Sequence, residues 1–307
     1  MPARNGASPG PPAAPSRRDI DLTGASLALL ISVVWGISPA TVKIAFEDIA
    51  PIRLAVFRFL LGGLVIVLWA WLSGKFANFR IARHEVRPLI VVGLILAVQV
   101  GCINFGTART NAAHAAVILN SYAVHIVTLA HFLIPGDRIT PRRLSGVLVA
   151  YGGIVPLFVR QPEGAGVTLL GDLLVFASSV LLAERTVYLA RAVHSLDPVK
   201  LLLAQIGVGT CVFIVYTSLF EHEPTRWTGR LVAILLFQGI VLAGFNFVVN
   251  LWLLRYYRPS ALAAFYLTQP VFGVVAAALM AGDPMTVEIV IASVAVTIGI
   301  WLTGRGR

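Results

Sequence analysis

The sequence predicts an all-α membrane protein with ten transmembrane helices arranged as two inverted five-helix repeats. Three observations carry this. The 307 residues are 58% hydrophobic and only 12% charged, with a mean hydropathy of +0.85, whereas a soluble domain carries about 25% charged residues. Apolar windows of about 20 residues, the length a bilayer core demands, recur along the chain. The two halves also match each other at a nearly constant offset.

Residues 1–21 open with a Pro-, Ala-, Gly- and Ser-rich stretch that has little to bury and reads as a disordered cytoplasmic tail. The first apolar run is too long for a cleaved leader, so it is expected to remain as a span. Ten windows follow, at about 24–46, 51–73, 87–107, 111–134, 143–159, 168–190, 198–220, 229–254, 259–281 and 285–303. Short punctuated joints such as "PGDRITPRR" and "AGDPMT" separate them.

The charge of +10 alone would suit a nucleic-acid partner, but its distribution points to topology. Lys43, Arg53, Arg58, Arg109, Arg160, Arg185, Arg226 and Arg230 lie inside spans or on one side; the other 16 of the 24 lysines and arginines fall on the side of the termini. The positive-inside rule then places both termini in the cytoplasm of a multi-pass protein of the cell's inner (plasma) membrane. Cys102 and Cys211 lie within apolar runs and make neither a disulfide framework nor a metal cluster.

At an offset of 147, Gly24, Ser32, Pro51 and Gly62 meet Gly171, Ser179, Pro198 and Gly209. At 146, Gly93, Asn104, Asp137 and Gly153 meet Gly239, Asn250, Asp283 and Gly299. The repeats are residues 22–160 and 168–304. Each holds five spans, an odd number, so the second enters the membrane from the opposite side. Inverted repeats mark secondary transporters, with the binding site near the midplane between the halves.

"WGISPATVKIAFEDIAPIRLAVFRFLLGG", the joint "GTARTNAAHAAVI", "LIPGDRITPRRLSGVLVAYGGI" and the later "YYRPSALAAFYLTQPVFGVVAAALMAGDPMT" resemble EamA units of the drug/metabolite transporter superfamily. The resemblance covers about 22–304. It implies a central cavity lined mainly by helices 1, 3, 4, 6, 8 and 9, and export or exchange of amino acids or other small metabolites. The second half departs from the first: Leu182 and Ala183 replace Trp35 and Gly36, Gln205 replaces Arg58, and Ala190 replaces Lys43. The polar site is therefore expected to be asymmetric.

Candidate site residues follow from polarity inside spans. Lys43 shares a stripe of span 1 with Ser32, Gly36 and Pro39, and Arg58 lies in span 2. Either the two cations attract a carboxylate-bearing solute, or they snorkel to headgroups, with Glu47 or Asp48 as partners. Span 4 is unusually polar, with His114, Ser121, His125 and Thr128 on one stripe and Tyr122 beside it. Such a stripe must face protein or water, and a histidine there either couples protons or bonds across helices. Asn104, Asn246 and Asn250 glue helices or line a cavity. Tyr266 and Gln269 precede Pro270, and Trp35 lies inside a span beside Gly36. Glu184 reads as the one acid well inside a span, which makes it, with His125, a proton-coupling candidate; its neighbour Arg185 is expected to snorkel inward.

The expected function is secondary-active export of an amino acid or related small polar metabolite. The alternatives are an uptake permease or exchanger for a vitamin, nucleobase or sugar derivative, and a non-transporting scaffold or receptor. Paired acids, a metal set or an activated nucleophile at one depth are missing from the pattern, so no enzyme, cofactor or metal is expected. The partners are a small-molecule substrate and the lipid bilayer, not nucleic acid, with the chain as monomer or homodimer.

Overall fold

A computed structural model describes residues 21–76, 80–133, 139–159, 167–192, 195–256, 265–266 and 268–304. The expected tail falls almost wholly outside them, as does the start of span 9. Among the described residues the protein is entirely helical: α1 (Leu22–Ala45), α2 (Pro51–Leu72), α3 (Arg83–Ala108), α4 (Ala112–Asn120), α5 (Tyr122–Leu133), α6 (Pro141–Val159), α7 (Leu169–Ala192), α8 (Pro198–Phe220), α9 (Gly229–Leu236), a π-helical segment π1 (Phe237–Phe245), α10 (Asn246–Tyr256), α11 (Gln269–Ala276), a second π segment π2 (Ala277–Ala281) and α12 (Val287–Gly304).

Seven stretches among these are long and apolar enough to cross a membrane by length and composition: α1, α2, α3, α4 with α5, α6, α8, and residues 229–250. Two shorter apolar stretches, 269–281 and 287–303, follow. The 24-residue α7 matches them in length but carries Asp172, Glu184, Arg185 and Arg191.

Two windows expected as single helices are interrupted. Span 4 breaks at Ser121, because Asn120 Nδ2 donates to the Ala116 carbonyl at 2.7 Å and Ser121 Oγ to the Ile118 carbonyl at 2.6 Å. Side chains that bond local carbonyls compete with the helix ladder. Span 8 widens into π1 where Gly239 and Gly244 press on α2. By contrast α1 runs through Pro39 as one helix. There Gln238 Nε2 donates to the Ser38 carbonyl at 3.3 Å and to Thr41 Oγ1 at 2.7 Å.

Small residues let the helices meet closely, the usual device where lipid supplies no hydrophobic drive between helices. A Cβ on Gly36 would lie 2.7 Å from Phe272 Cβ and 2.9 Å from the Gln269 carbonyl oxygen, so α1 and α11 touch backbone to backbone. Alanines at 40, 112, 113, 115 and 277 fill the core between α1, α4, α11 and α12. On the outside, Leu60, Leu64, Leu68, Leu148 and Val155 are exposed, as a lipid-facing surface requires.

The contacts are reciprocal. α3 packs on α8 as π1 packs on α2, and α7 packs on α4 and α5 as α1 packs on α11 and π2. A Cβ on Gly93 would meet Val208 at 2.5 Å, and one on Gly239 would meet Leu61 at 2.5 Å. Each pair is the other's counterpart at the offset between halves.

The end of the bundle holding the α1–α2, α3–α4 and α8–α9 joints, here the distal end, is tied by ion pairs. Glu221 accepts from the backbone amides of Ile52 and Arg53, both at 2.7 Å, capping α2. Asp48 accepts from Thr228 at 2.9 Å and Arg230 at 3.0 Å. At the opposite, proximal end Lys200, the repeat counterpart of Arg53, pairs with Glu85 at 2.8 Å.

The hydrogen bonds from Arg230 and Thr228 hold the Asp48 carboxyl below the usual carboxylate range. Its folded pKa is depressed, so its contribution to stability is complete above the ordinary carboxylate value of about 4 and is lost as pH falls through the folded value. Thermal unfolding of the purified protein is therefore expected to show an advantage of wild type over Asp48→Asn at pH 7 that shrinks towards pH 3. An equal gap at both pH values would contradict this assignment.

Candidate functional site

Helix α3 ends near the bundle's distal end, where its last carbonyls have no intrahelical partner. Lys43, on α1, fills that need. Its ammonium donates to the carbonyls of Thr107 at 3.1 Å, Ala108 at 3.3 Å and Thr110 at 2.6 Å. Three protons meet three carbonyls, and a cation at a helix C-terminus also complements the macrodipole. This differs from the pairing with Glu47 or Asp48 that the snorkelling reading offered, since those acids pair with Arg230 and Arg226. A helix cap inside another helix's span leaves no periodic trace, so nothing in the sequence points to it.

Helix α4 begins at the same joint. Asn111 Oδ1 accepts from the His114 amide at 2.7 Å, and Asp283 accepts from the Ala113 amide at 2.8 Å. Burial pushes the Asp283 carboxyl above the usual range, against the α4 amides and Lys43, which pull it down. Asp172, fully buried on the first turn of α7, accepts from Thr110 Oγ1 at 2.6 Å and contacts His114 Nδ1 at 3.0 Å. His114 is thus held by a carboxylate absent from the sequence-based candidates. Glu184, expected as the one acid well inside a span, is exposed on α7, and the acid that α7 buries is Asp172. An acid in a first turn reads as an ordinary N-terminal preference, which hid it; the signal was its place beside Gly171, whose missing side chain lets the Arg109 carbonyl approach.

Along α5, His125 is buried and bonded on both ring nitrogens. Nδ1 meets Tyr151 Oη at 2.5 Å and Nε2 meets Ser179 Oγ at 2.9 Å, with the Phe176 ring edge-on at 5.1 Å. Ser32, the counterpart of Ser179, donates to the Phe265 carbonyl at 3.0 Å. Asn104 donates to the Pro51 carbonyl at 2.8 Å, tying α3 to the start of α2.

Most of the remaining candidates gather at the centre. Trp35 on α1 packs against Phe247 (6.5 Å between centroids, 70°) and Tyr266 (6.2 Å). Tyr266 Oη donates to Asn250 Oδ1 at 2.6 Å, while Tyr122 stands half-buried at the start of α5. Asn246 Oδ1 and Gln269 Nε2 are buried without a hydrogen-bond partner, as are Arg58 Nε and Arg185 Nε and Nη1. Arg185 does not snorkel; it is buried in a narrow cleft with Phe59, Leu96, Gln205 and Phe247. That cleft has room for about one water molecule. A larger one, lined by Val155, Pro156, Val159, Val287 and Ile291, lies on the outer, exposed surface of α6 and α12, away from every candidate residue.

The structure therefore separates the sequence-predicted residues. Trp35, Asn250 and Tyr266 meet, with Asn246 and Gln269 on the neighbouring α1 backbone at Ile31 and Gly36. Among the described residues Tyr122 makes no ring contact or hydrogen bond with them. Lys43, His114 and Asn104 serve the distal joints; His125 lies in its own network. Among the described residues no group of histidine, cysteine and acids is placed to hold a metal.

The model of the EamA-like transporter family matches twice, over residues 22–159 and 169–305. A relative named "Probable amino-acid metabolite efflux pump", from Escherichia coli (strain K12), is 25% identical over 297 residues, covering 91% of this chain and 94% of its own. "Uncharacterized transporter YoaV" from Bacillus subtilis (strain 168) is 20% identical over 275 residues, 89% and 93% of the two chains. A solved crystal structure at 19% identity superposes with a TM-score of 0.64 over 90% of this chain and 94% of its own, a likeness of fold.

If Lys43 is a cap, replacing it with methionine leaves three carbonyls unanswered. Lys43→Met is expected to lower stability by about 1–3 kcal/mol, read as a lower unfolding temperature of the detergent-purified protein. An unchanged temperature would contradict the capping role.

Proposed function

This chain belongs to the EamA-like transporter family, and from that premise we propose that it is a secondary-active transporter exporting an amino acid or a related small polar metabolite across the inner membrane by alternating access. The observation that carries the reading is the central cluster: aromatic rings of Trp35, Phe247 and Tyr266 beside Asn250, with buried, unpartnered polar atoms on Asn246 and Gln269. Buried polar groups without partners are rare, because leaving one unmade costs about 1–3 kcal/mol. At the centre of a membrane bundle they are suited to a polar solute.

Ten spans in two inverted repeats are supported by the reciprocal contacts. The seven long apolar stretches, α7 and the two shorter apolar ones make up that number. Lys200–Glu85 at one end and Arg53 bonded to the Glu221 carbonyl at the other place repeat-related cations at opposite ends. Alternating access then amounts to breaking one set of ties while the other holds. The described state is tied more extensively at the distal end, which faces outward if both termini are cytoplasmic as the charge distribution indicates.

For proton coupling, His125 is favoured over Glu184. It is buried and bonded to Tyr151 on α6 and Ser179 on α7, so a change in its protonation would reach two helices. Glu184 lies on an exposed face.

The test is counterflow of radiolabelled amino acids into liposomes containing the full-length protein. Saturable flux is expected, with Trp35→Ala and Tyr266→Phe each lowering its efficiency about tenfold at equal abundance. His125→Gln is expected to keep counterflow and to lose accumulation driven by a pH gradient. Flux of no small solute under any gradient would favour a scaffold or receptor instead.

A further inference from the structure

We infer that Arg58 and Arg185 form an oxyanion centre that holds a carboxylate, and, resting on the transport reading above, that this carboxylate belongs to the transported solute. Arg58 stands on α2 in the first matched unit and Arg185 on α7 in the second, and Phe59, whose ring the Arg58 guanidinium approaches, lines the cleft that holds Arg185. Two like charges brought together within a bundle repel, and in lipid an arginine is ordinarily paired.

Among the described residues neither has an acid within ion-pair distance: the buried acid Asp172 is bonded to Thr110 and His114, Glu85 to Lys200, and Asp48 to Arg230. Arg58 Nε and both Nε and Nη1 of Arg185 have no hydrogen-bond partner. Arg185 is 8% exposed. Those three nitrogens are thus shielded from water and unanswered by the protein, although Arg58 as a whole is half-buried.

The surroundings orient them. The Arg58 guanidinium lies 5.4 Å from the centre of the Phe59 ring, and Phe59 and Phe247 both border the cleft that holds Arg185. Gln205, the repeat counterpart of Arg58, lines the same cleft, with its Nε2 donating to the Leu201 carbonyl at 3.2 Å. Guanidinium donors form a planar fork that matches the two oxygens of a carboxylate. Phe247 also packs against Trp35, so one ring stands between the cleft and the central aromatic cluster. The cleft as described holds about one water molecule, so a carboxylate reaches the arginines only as the cleft opens, with the body of the solute towards Phe247 and Trp35. Because the arginines come one from each unit, an anion between them also screens the repulsion that opposes their approach.

The experiment is thermal unfolding of the full-length protein in a neutral detergent, titrated with succinate and phenylacetate and with the uncharged succinamide and phenylacetamide. The acids are expected to raise the unfolding temperature saturably and the amides are not. Arg185→Gln and Arg58→Gln are each expected to weaken the apparent affinity for the acids about tenfold or more, and Arg185→Lys less, because it keeps the charge but not the fork. Acids and amides acting alike on wild type would overturn the inference without recourse to any variant that fails to fold. Acid binding unchanged in Arg185→Gln would overturn it equally. A parallel titration with phosphatidylglycerol separates the sources: stabilisation by that lipid alone, lost in Arg185→Gln, would assign the centre to a headgroup and overturn the solute assignment. The binding measurement does not depend on flux. A protein that moves solutes while acids and amides act alike overturns this inference alone; one that binds succinate and moves nothing overturns the transport reading and the solute assignment with it.

Discussion

A helix that ends within a bundle has no water to answer its last carbonyls, and at the end of α3 they are answered by the Lys43 ammonium. Several features of the distal half follow from that contact. It joins α1 to the α3–α4 joint, where Asn111 and Asp283 cap the start of α4 and Asp172 binds Thr110 and His114. With the joint held, the alanine-rich face of α4 packs in the core with α1 and α11, and Gly36 and Gly273 bring those two helices into backbone contact. A lysine within a span costs about 2.5–3.5 kcal/mol on insertion scales; here its three donors are all engaged, which offsets that cost.

Charge is therefore used in two ways in this bundle. At the distal joint, cation, acids and helix ends bond to one another, with Thr107 Oγ1 and Asn111 Nδ2 left without a partner. At the centre, Arg58, Arg185, Asn246 and Gln269 keep unanswered atoms next to a cluster of aromatic rings. What sets the centre apart is its lining: the unanswered atoms there lie beside the aromatic rings of Trp35, Phe247 and Tyr266, which suits a polar solute with an apolar part.

The spans, the repeat and the polarity of span 4 were legible because each depends on period, length or offset. Gly93 against Val208 and Gly239 against Leu61 realise in space an offset visible along the chain. The partners of individual side chains were not legible. Lys43 could be placed on a stripe but not on carbonyls more than 60 residues away. Glu184 and Arg185 are adjacent, and only the packing of α7 decides that the arginine is buried and the acid exposed. Asp172 was obscured because an acid in a helix's first turn is commonplace. Trp35, Asn250 and Tyr266 were singled out for separate reasons (a place inside a span, the repeat with Asn104, and Pro270), and their mutual contacts needed the fold.

The central claim is that solute passes the Trp35–Tyr266–Asn250 cluster and not the Lys43–His114–Asp172 joint. The most direct measurement is labelling of single cysteines, Asn250→Cys and His114→Cys, by a membrane-impermeant thiol reagent in a background lacking Cys102 and Cys211. The account predicts that position 250 is labelled from one side and protected by saturating transported amino acid, while position 114 remains unreactive. Solute-protected labelling at 114 with position 250 inert would contradict it.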